Sequence, residues 1–184
     1  MRISVTLLQY EHGILRQVLD VLAEVIKEDR AAAKRDDVKE LLDFLYEFVD
    51  RFHHAKEEEF FFSVVLEQFP RFKEEVDGIY DDHVQARGML EDAIKALDEN
   101  DWTAMAESCR ALVRHMTAHV ELEEDYIFPP VDDSLPLEMD ERINNGYQGF
   151  LRRFGDDYYQ KAEVFSNEIQ DRLLGPGFFT KGIY

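Results

Sequence analysis

Two stretches of this chain repeat one order: a histidine, three residues, two glutamates, then bulky apolar residues. In FHHAKEEEFFF, His53 is followed at +4 by Glu57 and then Glu58, with Phe61 and Phe62 beyond. In HVELEEDYIFP, His119 is followed at +4 by Glu123 and then Glu124, with Ile127 and Phe128 beyond. A spacing of four sets imidazole and carboxylate on one face of a helix, one turn apart. The apolar pattern decides which face this is. Leu42, Tyr46, Val49, His53, Glu57, Phe60 and Val64 follow one another at +3 or +4, as do Leu112, His115, His119, Glu123 and Tyr126. Both pairs therefore point into a core. A buried carboxylate costs several kcal/mol unless something compensates it. One histidine cannot satisfy two such groups, whereas a pair of metal ions can.

The rest of the chain supplies helices to enclose such a core. The 3.6-residue period predicts a first helix from about Val5 to Asp29, with Leu8, Leu15, Leu19 and Leu22 on one stripe. The polar AAAKRDD links it to a second helix, which Asp37 and Glu40 could open as a capping box and Pro70 should stop after Phe69. A third is expected from about Phe72 to Leu97. A fourth should be capped by Asn100 or Asp101 and ended after Phe128 by the Pro129-Pro130 pair. Short turns make consecutive helices antiparallel. The expected fold is all-α, an up-down-up-down four-helix bundle over residues 1–132. Residues 133–184 read as an accessory helix, broken near its glycines, followed by a GPGFFTKGIY tail; this part should pack on the bundle and not form an independent domain.

Composition removes several functions. A net charge of -19 argues against a nucleic-acid partner, because phosphate binding wants basic patches, and against an anionic membrane surface. No run reaches the roughly 18 uncharged apolar residues needed to span a bilayer. Glu11 and His12 fall too early for a signal-peptide apolar region, and the lone Cys109 cannot make an internal disulfide, so a cytoplasmic location is expected. No Ser-His-Asp arrangement and no glycine-rich phosphate cradle is present, which disfavours hydrolysis and phosphoryl transfer.

The remaining histidines fall near the same level. His12 sits among Leu8, Leu15 and Leu19, and His83 lies in line with Ile79, Tyr80, Leu90 and Ile94. Counted from the common end of the bundle, His12, Glu57, His83, His119 and Glu123 spread over roughly 9 Å, and His53 extends this to roughly 15 Å. Each helix thus offers an imidazole to one layer. A mixed nitrogen and oxygen set suits iron, manganese, zinc or cobalt better than calcium, and six protein ligands crowd a tetrahedral zinc site. His54 and Glu58 repeat the +4 spacing but are rotated by about 100° from the inner pair, which predicts an outer position. Tyr80 and Tyr126 each lie three residues from a proposed ligand and could donate to a bridging group or fill the core. His115 reads as a pocket-wall residue or an additional ligand, and Arg87 could meet Glu58 or Glu91 or guard a pocket entrance.

Taken in order, EH on the first helix, HHxKEE with two aromatics on the second, a lone His on the third and HxxxEE with IFP on the fourth resemble the hemerythrin-like (HHE cation-binding) family over about residues 4 to 130. The resemblance implies a non-heme pair of iron ions with an oxo or hydroxo bridge, zinc or manganese being substitutes. Its implied ligands are His12, His53, Glu57, His83, His119 and Glu123, with Glu57 and Glu123 as bridges. Oxygen carriers place the last carboxylate at +5, where Glu124 stands, and Glu123 is favoured because it repeats the position of Glu57. Glu58 and His115 read as additional or outer residues. Oxygen-carrying hemerythrins have a second His one turn after the helix-three ligand, where this chain has Arg87. The set therefore resembles the four-His, two-Glu branch, which is associated with sensing, detoxification or repair involving oxygen, nitric oxide or peroxide. A small diatomic or peroxide ligand is implied, with room for a redox or signalling protein partner. An oxygen carrier and an iron reservoir or iron-responsive module are the alternatives.

Overall fold

The computed structural model of the protein describes residues 1–27 and 34–178, and among these no strand occurs. Four rods make the bundle. The first is α1 (Ile3–Lys27). The second begins as α2 (Arg35–Phe44), widens into π-helical turns at Leu45–His54 and Glu57–Phe61, and closes as α3 (Phe62–Gln68). A single 3₁₀ turn, Pro70–Phe72, leads into α4 (Lys73–Asp98). The fourth rod is α5 (Trp102–Leu122), a π-helical turn at Glu123–Ile127, and α6 (Phe128–Ser134). Two further helices follow, α7 (Leu137–Leu151) and α8 (Tyr158–Leu174), and they pack on α1 and the second rod. Residues 28–29 of the expected first helix, part of the AAAKRDD link and the end of the tail lie outside the described residues.

Layers of side chains give the rod directions. Leu19, Leu45, Leu90 and Leu112 share one layer, while His12, His53, His83 and His119 meet in another. Numbers rise from the histidine layer to the leucine layer on rods one and three and fall on rods two and four, the alternation of an antiparallel bundle. The buried apolar residues form two clusters. One holds Leu15, Leu22, Phe48, Phe52 and Met116. The other holds Leu8, Phe61, Phe62, Ile79 and Phe128. The histidines and carboxylates lie between them, a polar layer with apolar core on either side.

Several helix ends differ from expectation. Asp101 is the residue that caps α5, its side chain accepting from Ala104 N at 3.0 Å. The second rod instead starts at Arg35 with no side-chain cap, which puts Asp37 in the first turn and not at the cap. The Pro129-Pro130 pair does not end the fourth rod, which runs to Ser134. The π-helical turn explains the tolerance: Phe128 N donates to Glu123 O five residues back. The prolines then occupy the first turn of α6, where a missing N–H costs little.

The C-terminal pair is anchored by particular contacts. Asp140 of α7 caps α1, accepting from Ile3 N at 2.9 Å, Ser4 N at 3.0 Å and the Ser4 hydroxyl at 2.6 Å. This meets donors that a helix start leaves unpaired and adds a favourable charge there. Gly146 lies against the Phe60 ring, where a Cβ would collide with it. Gly155 turns the chain between α7 and α8 with φ of 108°.

Candidate metal centre

The structure brings His12, His53, Glu57, His83, His119 and Glu123 into one fully buried layer, none of them more than 1% exposed. Their ligand atoms form two groups, each within 4.8 Å: His12, His53, Glu57 and Glu123 in one, and Glu57, His83, His119 and Glu123 in the other. Glu57 spans the two. Its Oε1 lies 3.5 Å from His53 Nε2 and its Oε2 lies 3.6 Å from His83 Nε2. Glu123 Oε2 lies 3.2 Å from His12 Nε2 and 3.6 Å from His119 Nε2.

Protons cannot explain this arrangement comfortably. His12 Nδ1 faces the Glu124 carboxylate at 2.9 Å, and His53 Nδ1 faces that of Glu11 at 2.7 Å. A carboxylate accepts, so each Nδ1 carries the hydrogen and each Nε2 of a neutral ring presents a lone pair. Those two Nε2 atoms stand 3.1 Å apart. All four oxygens of Glu57 and Glu123, both nitrogens of His119 and His83 Nε2 lack a hydrogen-bond partner among the described residues. Two donors held about 2.1 Å from one cation stand about 3–3.5 Å apart, which is the spacing seen here. The donor set therefore fits cations.

Titration tells the same story. Burial, then the facing Glu123 charge, pushes Glu57 well above the ordinary carboxylate value. Burial works against Glu123 too, but the neighbouring imidazoles hold it low. Two carboxylates in one dry site cannot both ionise unless positive charge lies between them. Burial lowers His12, yet Glu123 and Glu124 outweigh that and raise it overall. Without a cation, a proton is the available substitute.

Outer carboxylates hold the rings. Glu124 and Glu11 serve His12 and His53 as above, and Glu58 meets His83 Nδ1 at 2.8 Å. Asp82 faces His119 Nδ1 at 3.9 Å, too long for a hydrogen bond. Such partners fix the tautomer and orientation of ligating histidines. Glu58 stands outside the candidate ligand groups, against the outer nitrogen of His83. Glu124 is likewise outer and is paired with Arg16 at 2.6 Å.

His54 is not an outer residue. It is 1% exposed, stacks on the His83 ring at 3.7 Å and meets the His119 ring edge-on at 5.4 Å. With His83 and His119 it forms a third group of candidate ligands. The cause is the π-helical stretch Leu45–His54, whose wider turn lets consecutive residues 53 and 54 both face inward. The same effect turns Tyr126 away. It is 66% exposed, and Ile127 takes the buried position, so Tyr126 cannot donate to the site.

Other expectations resolve by contact. Tyr80 reaches the backbone oxygen of Glu58 at 3.4 Å and packs on Phe62. His115 is half-buried and pairs with the Asp82 carbonyl at 2.9 Å, outside every candidate ligand group, while Met116 fills the core position. Arg87 pairs with Asp50 at 2.7 Å, not with Glu58 or Glu91. Sequence reasoning gave no place at the site to Glu11, Lys56, Tyr147 or Tyr159, which gather behind His53. The Tyr147 hydroxyl is buried without a partner among the described residues; burial, then the Glu57 and Glu11 charges, pushes its pKa well up.

Helices that converge carboxylates and imidazoles on a dry central layer define a class: cation-binding helical bundles. The Hemerythrin HHE cation binding domain model matches residues 4–144, most of the chain, and the protein belongs to that family. The match reaches past residue 132 into α7 and stops short of α8. No curated protein and no solved structure gives a significant match.

Proposed function

We propose that the protein holds two iron ions in this layer and binds or reacts with a small ligand such as oxygen, nitric oxide or peroxide, in sensing, detoxification or repair. The observation that carries the reading is the buried pair of Nε2 atoms 3.1 Å apart, beside two carboxylates that have no hydrogen-bond partner among the described residues. His12 and His53 would hold one ion and His83, His119 and His54 the other, with Glu57 and Glu123 shared. This many nitrogen and oxygen donors exceeds a tetrahedral zinc set. Iron bound there supplies a redox couple and positions open to an external ligand.

The chain's own part is to orient and to exclude. Glu124, Glu11 and Glu58 hold three imidazoles by their outer nitrogens. Phe61, Phe62 and Phe128 wall one side of the layer and keep water from it. An apolar cavity lined by Leu15, Val49, Leu90 and Met116 abuts His54 beneath the Asp50–Arg87 pair. It has room for a water-sized molecule and none for a bulky substrate. The single buried thiol suits the cytoplasm, where we propose the protein works, and the segment after the bundle serves as an accessory unit.

The fifth imidazole, His54, keeps a stoichiometric oxygen carrier as the second reading. Anaerobic reconstitution with ferrous iron, metal counting, and absorption spectra before and after oxygen or nitric oxide separate the two. Two ions per chain and a ligand-dependent spectrum are expected. A stable, reversible oxygen adduct favours the carrier, and loading beyond two ions points to a reservoir. Fewer than two ions with no spectral response refutes the proposal.

A further inference from the structure

Behind His53 lies a buried polar knot that extends beyond the bundle. Glu11 is wholly buried, and its oxygens divide their partners. Oε2 accepts from His53 Nδ1 at 2.7 Å, while Oε1 accepts from the Tyr159 hydroxyl at 2.5 Å and from the Lys56 ammonium. Lys56 is also wholly buried, 4.4 Å from the centre of the Tyr147 ring and 3.3 Å from the Tyr159 oxygen. Lys56 and Glu11 neutralise each other, which makes a charge pair tolerable in this place.

The third member need not be there for charge balance. Tyr159 comes from α8, beyond the residues that match the family model. Its bond removes a degree of freedom from the Glu11 carboxylate, which would otherwise be held on that oxygen by Lys56 alone. The neighbouring Tyr158 offers a contrast. It too packs on Phe52, but its hydroxyl reaches only the Glu47 backbone oxygen, at 3.3 Å.

We propose that Tyr159 is a positioning residue of the metal centre: through Glu11 it fixes the plane and tautomer of His53, so docking of α8 is coupled to holding a cation at the His12–His53 side. The inference rests on the reading of these histidines as ligands. Outer partners of ligating histidines are worth about 10–100-fold in metal affinity. The coupling is reciprocal, so a cation at His53 also tightens α8.

The test uses the full chain, loaded anaerobically with ferrous iron and competed with a chelator. Tyr159→Phe keeps the ring and removes only the hydroxyl. It should lower affinity for one of the two ions by about 10–100-fold, leaving affinity for the other ion as in wild type. Tyr158→Phe should hold both ions as wild type does. Amide exchange in α8 should slow on metal loading in wild type and not in Tyr159→Phe. Wild-type affinity for both ions in Tyr159→Phe, an equal loss in Tyr158→Phe, or α8 exchange indifferent to metal in wild type would overturn the coupling while leaving the metal centre standing. Uptake of fewer than two ions by wild type would overturn both.

Discussion

Replacing Glu57 by Gln should move stability in opposite directions with and without metal. Glu57 is wholly buried and neither oxygen has a partner among the described residues. Leaving such a group unsatisfied costs about 1–3 kcal/mol. Glutamine is nearly isosteric, carries no charge and can donate toward Glu123. Taking about 2 kcal/mol as the gain, and about 2–4 °C per kcal/mol for a chain of this length, metal-free Glu57→Gln should melt about 4–8 °C above wild type. With metal the order reverses. A cation at a hundred times its dissociation constant stabilises the wild type by about 2.7 kcal/mol, or about 5–10 °C, and an amide cannot replace the shared carboxylate.

The pH dependence has a definite sign. The Glu57 carboxyl is pushed up from an ordinary value of 4.5 by burial and the Glu123 charge. At neutral pH the folded, metal-free protein must therefore take up a proton or hold an unbalanced charge. This cost disappears below the unfolded value, so the advantage of glutamine should shrink as pH falls toward about 4. Thermal melts followed by circular dichroism, in chelator and in anaerobic ferrous iron at two pH values, check all of this. If Glu57→Gln melts below wild type in chelator at pH 7, the carboxylate supports the fold without a cation and the reasoning fails.

Three other outcomes follow from particular contacts. His54→Leu should leave the fold intact and reduce metal content from two ions toward one, measured by metal analysis after desalting; retention of two would return His54 to a packing role. His115→Ala should keep both ions in the same assay, since its bond is to the Asp82 carbonyl. Cys109 is wholly buried, and burial pushes its thiol up to about 12. A thiol reagent at pH 8 should therefore leave the native protein almost unlabelled and react fully once it is denatured.

The four rods and the two +4 pairs were legible because a 3.6-residue stripe carries both the apolar residues and the candidate ligands. Leu8, Leu15, Leu19 and Leu22 are all buried, and His53, Glu57, His119 and Glu123 meet at one level. What escaped is tied to departures from that period. His54 faces in and Tyr126 faces out because both lie in π-helical turns, and no residue pattern marks where such a turn begins. Pro129 and Pro130 read as a stop, yet they follow such a turn and start a new segment. Glu11, Lys56 and Tyr159 escaped for another reason. Buried polar partners look like surface residues until the chain is folded, and Tyr159 reaches Glu11 from 148 positions away.

The polar layer is sealed, and that governs how anything reaches it. The candidate ligands are at most 1% exposed, with apolar core on both sides along the bundle axis. Ions must therefore wait for the rods to part briefly. Uptake should saturate at the opening rate of the helices however much iron is supplied, and a bound ion, once enclosed, should leave on the clock of the protein's own breathing.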